Sequence, residues 1–204
     1  SIAKVGLDGK VIAAEWVSGL NAPKGMGLYN GKLYAADLGN IAVIDIAGGK
    51  IEKTIPIEGA TGLNDISIDP NGVIYVTEYL AKKLYKVENE KAELIAENLT
   101  QPNGVLFHNN ELFLLDGTGM FRVNADKSLA KIADGMEGGF SGEHAAFHGV
   151  VAAFDARHIH QAGAASDQRS ARKCELGQRL QATFTDGACT ITQAFTTDEC
   201  VTYR

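Results

Sequence analysis

Three stretches decide the fold: NAPKGMGLYNGKLYAAD (21–37), TGLNDISIDPNGVIYVTE (61–78) and TQPNGVLFHNNELFLLDG (100–117). They superimpose on the aromatics Tyr34, Tyr75 and Phe113, which stand 41 and 38 residues apart. Each runs from a small polar start into an apolar segment, then a turn pair (Asn30-Gly31, Asn71-Gly72, Asn109-Asn110), then a second apolar segment. Asn-Gly between alternating apolar residues tolerates the positive φ that a tight hairpin requires. A second hairpin follows each of these, at 41–57, 82–96 and 120–133, and SIAKVGLDGKVIAAEWV (1–17) repeats that second half with its turn at Asp8-Gly9.

A unit of about 40 residues and four strands predicts a β-propeller blade. The apolar period is two rather than that of a helix, and a β-sandwich is the competing all-β arrangement. The expected fold is therefore all-β, a partial propeller. Its blades are expected at 21–60, 61–99 and 100–136, with 1–20 as the outer half of a further blade. Such a ring closes with four to eight blades, so about three and a half blades read as part of a larger ring. Its open edge is an expected site of self-association.

Composition breaks near residue 140. Residues 1–139 carry 12 Lys and 1 Arg against 18 acids, a formal charge of −5, whereas 140–204 carry 1 Lys and 5 Arg against 7 acids, or −1. All four Pro precede the break, and all three Cys and four of the five His follow it. The reading is thus two regions, a propeller part at 1–139 and an unrelated, out-of-frame or chimeric tail at 140–204 that adds no regular blade. Ala, Gln, Arg and Leu around 168–183 favour a helix there. In the tail, Glu143, His144, His148, His158 and His160 have metal-ligand chemistry but lack the H-E-x-x-H order. Cys174, Cys189 and Cys200 lack C-x-x-C spacing and read as unpaired thiols rather than a disulfide set. Arg169, Arg172, Lys173 and Arg179 read as a solvated basic face.

The net charge of −6 argues against generic nucleic-acid binding. No apolar run approaches the length of a membrane span, and the first residues show no signal-peptide pattern, which leaves exported and cytoplasmic locations both open. No nucleophile elbow or phosphate loop is present.

Repeat alignment makes Lys24, Asn64 and Asn103 equivalent, each at the start of an innermost strand facing the central channel. Two readings stand beside each other. The amide oxygens suit a hard cation such as Ca²⁺, and Asn before Gly or Asp equally suits a left-handed turn. Asp37, Glu78 and Asp116 end the second strands at matching positions and read as strand-end or turn residues. Trp16 reads as core, and His108 as exposed beside its turn.

The run GLNAPKGMGLYNGKLYAAD, with GLNDISID, PNGVLF and KIADGMEGG, resembles the senescence-marker (regucalcin-like) and gluconolactonase-like family of six-bladed propellers over residues 1–139 and not over the tail. That resemblance implies a divalent metal, commonly calcium, at the channel mouth, held by a Glu, an Asn and an Asp, with a further Asn near the substrate or a metal-bound water. Carried over, Asn103 matches the metal-ligand Asn and Asn64 the further Asn, with Asp65 beside it. Lys24 shares the channel-facing position.

The family's Glu has no counterpart here, and where its Asp is expected the chain reads Gly138-Gly139-Phe140-Ser141. The resemblance therefore implies a fragment of a metal-dependent hydrolase of small lactones or esters, inactive as it stands, with calcium weak or absent. Should metal binding or turnover be found, Glu143 and Asp155 are the first candidate ligands in the tail. The alternative is a non-catalytic propeller that binds a small molecule or a protein.

Overall fold

The computed structural model describes residues 1–6, 8–117 and 119–134, together with the backbone of 179–185, 188–194 and 199–202. Twelve strands form one compact unit of three four-stranded antiparallel sheets. The first sheet holds β3 (Pro23–Tyr29), β4 (Lys32–Asp37), β5 (Asn40–Asp45) and β6 (Lys50–Pro56). The second holds β7 (Leu63–Ile68), β8 (Ile74–Glu78), β9 (Lys83–Glu88) and β10 (Lys91–Ala96). The third holds β11 (Pro102–His108), β12 (Glu111–Asp116), β13 (Gly119–Val123) and β14 (Leu129–Ala133). Each is an up-and-down meander in sequence order, so these are the three expected blades of a partial propeller.

The turns form where the sequence places left-handed residues. Asn30 and Gly31 (φ 47° and 73°) close β3 onto β4, and Asn109 and Asn110 (φ 49° and 62°) close β11 onto β12. The middle blade uses a longer turn, in which Asp69 Oδ1 accepts the N–H groups of Asn71 and Val73 at 2.8 and 2.9 Å.

Alternation along each strand sends apolar side chains to both faces, because a blade is covered on both sides. Val43, Ile55, Ile66, Val76 and Val87 pack between the first and second blades, and Leu84, Val105, Leu112 and Leu114 between the second and third. Each such fully buried aliphatic side chain contributes about 1.5–3 kcal/mol. Tyr75 stacks on Phe107 across the second of these interfaces, with ring centroids 5.7 Å apart. Burial holds the Tyr75 phenol above its usual titration range.

The second compact unit contains β1 (Ile2–Gly6), β2 (Val11–Val17) as far as Glu15, β15 (Arg179–Thr185), β16 (Ala188–Ala194) and β17 (Glu199–Thr202), in the sheet order β15-β16-β17-β1-β2. This corrects two expectations. The tail does add regular strands, since β17 pairs antiparallel with β1 through Ala3↔Thr202 to Gly6↔Glu199. Residues 179–183 are strand rather than helix. The physical reason is the Thr, Phe, Ile and Val content of RLQATFT, ACTITQA and ECVT, whose β-branched and aromatic side chains favour the pleated sheet over a helix. The register also places Ala194 opposite Cys200, so Cys189 lies five residues further along β16. Glu143, His144, His148, Asp155, His158, His160, Arg169, Arg172, Lys173, Cys174 and the 139/140 junction lie outside the described residues.

Trp16 is partly exposed rather than core, and its indole edge lies against Gly49, where an added Cβ would come within 2.7 Å of Nε1.

Candidate functional site

Lys24, Asn64 and Asn103 occupy one structural position repeated three times. Each innermost strand carries a register shift just after its first residue, between Pro23 and Met26, Leu63 and Ile66, and Pro102 and Val105. A bulge re-aims the residues that it contains, and in all three strands the first of the two residues within the shift is the one singled out from the repeat. Neither Asn64 nor Asn103 has a positive φ, so the left-handed turn reading does not describe them.

The three positions form a row across adjacent strands. An added Cβ at Gly25 would sit 2.6 Å from Asp65 Cα and 2.8 Å from the Asn64 carbonyl oxygen, which presses the backbone next to Lys24 onto the backbone at Asn64. Asn64 Nδ2 then donates to Asn103 Oδ1 at 2.8 Å. Lys24 is exposed, and the two asparagines are half-buried.

Asp65, the expected neighbour in the site, is 5% exposed. Its Oδ2 accepts the backbone N–H of Val105 at 2.9 Å. Two residues on, Ser67 Oγ accepts the N–H of Phe107 at 2.9 Å. These bonds strap the middle blade to the third. At the equivalent positions of β3, Gly25 and Gly27 take the place of Asp65 and Ser67, and the first interface closes by direct backbone approach at Gly25 and by the Ile68 side chain against Gly27. Thr77, fully buried, completes the junction: its hydroxyl donates to the Asn103 carbonyl at 2.6 Å and accepts the Asp65 N–H at 2.9 Å. Sequence reading passed over Thr77. The available signal was a lone hydroxyl where the other repeats have Ala36 and Leu115.

The strand-end acids behave as expected. Asp37 accepts the N–H groups of Asn21 and Ala22, Glu78 those of Thr61 and Gly62, and Asp116 those of Thr100 and Gln101. Glu78 additionally accepts the Ala81 N–H. Each is buried, so each carboxylate satisfies the loop leading into its innermost strand. His108 stands at the other end of β11, opposite Glu111 and away from the row.

Among the described residues, the row therefore offers two amides and an ammonium group. A hard divalent cation wants several oxygen ligands with negative charge among them. Asn103 Oδ1 already accepts the Asn64 amide, and the carboxylates of Asp37, Asp65, Glu78 and Asp116 hold backbone N–H groups. Among the described residues, no group of three or more His, Cys, Asp or Glu is placed to hold a metal. These residues do not fit calcium by themselves. Amides both donate and accept hydrogen bonds, and Lys24 adds a positive charge to the row.

No family model and no curated protein matches the chain. Solved structures do. Virginiamycin B lyase from Staphylococcus aureus, in a catalytically inactive form with quinupristin, aligns with a TM-score of 0.53 at 15% identity, over 64% of this chain and 47% of that one. The selenomethionine form of the same lyase aligns with a TM-score of 0.52 at 14% identity, over 98% and 78%. A gluconolactonase from Xanthomonas campestris aligns with a TM-score of 0.54 at 13% identity, over 66% and 57%. The chain thus spans about half the length of two of these structures. Among the described residues no helix is long and apolar enough to cross a membrane. At such identities the likeness shows the fold alone: a distant, partial kinship with propeller-like proteins.

Proposed function

We infer that residues 1–139 are part of a gluconolactonase-like propeller whose channel mouth binds a small lactone or ester, and that this chain binds such a ligand without hydrolysing it. The observation that carries this reading is the row Lys24–Asn64–Asn103, in which three bulged strand starts bring a cation and two hydrogen-bonded amides to one end of three neighbouring blades. The bond to Asn103 uses one of the two N–H donors of Asn64. The other N–H of Asn64 is suited to a carbonyl or ring oxygen, and Lys24 to the developing or full negative charge of a carboxylate. Hydrolysis in the intact family members that this chain resembles would need a metal and a carboxylate base, and the carboxylates described here are committed to backbone N–H groups. The same commitment favours the second reading, a propeller that binds a small molecule or a protein and catalyses nothing.

Titration calorimetry with calcium and with δ-valerolactone, beside a pH-indicator lactonase assay, tests the proposal. The expected result is lactone binding weakened at least several-fold in Asn103→Ala, no metal-dependent turnover, and calcium affinity weaker than micromolar. Metal-dependent turnover, or micromolar calcium affinity lost in Asn103→Ala, would overturn the non-catalytic reading. Lactone binding unmoved by both Asn64→Ala and Asn103→Ala would overturn the site.

A further inference from the structure

Among the described residues, nine other than glycine have a positive φ: Asn30, Leu38, Lys82, Asn89, Glu90, Asn98, Asn109, Asn110 and Lys127. Eight are polar or charged, and five are Asn, the residue other than Gly that tolerates this region best. Leu38 (φ 53°) is the apolar exception, and it is 40% exposed. The chain supplies its own comparison. Leu38 follows Asp37 as Gly117 (φ 58°) follows Asp116, at the same place in the third blade. One repeat meets the left-handed demand with Gly, which carries no steric cost, and the other with a bulky side chain that does. Burial does not explain the choice.

Position does. The Leu38 carbonyl accepts the Leu63 N–H at 2.8 Å, and the two residues form a bridge between the first and second blades. Leu63 immediately precedes Asn64. Leu80 is 63% exposed and rests on Gly62, where an added Cβ would meet its Cγ at 2.6 Å. Two exposed leucines therefore touch Gly62 and Leu63, the backbone that leads into Asn64. Their combined area is far below the roughly 800 Å² per partner of a stable protein interface, and it suits a short alkyl chain.

We propose that Leu38 and Leu80 form an apolar shelf that selects lactones or esters bearing an alkyl substituent, with the carbonyl end at Asn64 and Asn103. This rests on the reading of the amide row as the ligand site. Strain at Leu38 is then retained for binding, a conformational cost of the kind that collects at ligand clamps.

The test compares δ-valerolactone with δ-decalactone, which adds a pentyl chain, by titration calorimetry on the full chain. Each methylene covered is worth roughly fourfold in affinity, so covering about two gives the wild type a preference of roughly fifteenfold for δ-decalactone. Leu38→Asn keeps a residue suited to the left-handed backbone and removes the apolar surface. It should hold or raise the melting temperature while cutting the preference to about a third or less, and Leu80→Ser should cut it similarly. Equal affinity for the two lactones in the wild type, with both still sensitive to Asn103→Ala, would overturn the shelf and leave the amide site standing. A preference unchanged in both leucine variants would do the same. Binding of neither lactone would overturn both readings.

Discussion

Replacing Asp65 by Ala should destabilise the chain without acting through any ligand. The carboxylate lies between two blades, 5% exposed, and accepts the N–H of Val105, itself fully buried. Truncation leaves that N–H with neither acceptor nor water, at a cost of about 1–3 kcal/mol. The lost bond is charge-assisted, which places it in the upper half of that range. An expected loss of about 2–3 kcal/mol corresponds to a fall of roughly 5–10 °C in melting temperature for a chain of this size. Asp65→Asn keeps an acceptor oxygen and should cost about 1 kcal/mol or less. Urea unfolding followed by circular dichroism gives both values. An Asp65→Ala chain within about 0.5 kcal/mol of wild type would refute the strap. So would one that keeps its stability but loses lactone binding, since the carboxylate would then belong to the ligand site.

Gly25→Ala should be more damaging than Gly27→Ala. At Gly25 the new methyl meets Asp65 Cα and the Asn64 carbonyl, which are backbone atoms, whereas at Gly27 it meets Ile68 Cγ1 and Cδ1 at 2.9 and 3.0 Å, which a rotamer change can clear. Thermal unfolding should show a loss of about 1–3 kcal/mol for the first and a smaller one for the second; the reverse order would refute the account of how the first two blades meet. Acid sensitivity is expected at Asp45, whose carboxyl is held below its usual range by the Gly48 N–H and then by the Lys32 ammonium. A depressed pKa adds stability that is present above the unfolded value, near 3.9, and is lost as pH falls through the lower folded value. Asp45→Asn should flatten the stability curve below about pH 4; an unchanged acid limb would refute the assignment.

The blade period was legible in the sequence because everything that sets it is local. Asn30-Gly31 and Asn109-Asn110 impose hairpins through their own φ preferences, and alternation then fixes which side chains face a neighbouring sheet. The equivalence of Lys24, Asn64 and Asn103 followed from spacing alone. What each residue does was decided by contacts about 40 residues apart in the chain. Asp65 and Asn64 are adjacent in sequence, yet the packing of the second blade against the third turns one toward the Val105 N–H and the other toward Asn103. A sequence shows that a carboxylate is present and not which buried donor has claimed it. The tail strands were missed for a related reason. RLQATFT, ACTITQA and ECVT carry strand propensity without the 40-residue repeat, and the pairing of ECVT with Ile2–Gly6 joins segments nearly the whole chain apart. Leu38 escaped notice because its significance lies in a backbone angle: only the folded chain shows a leucine held where the sister repeat holds a glycine.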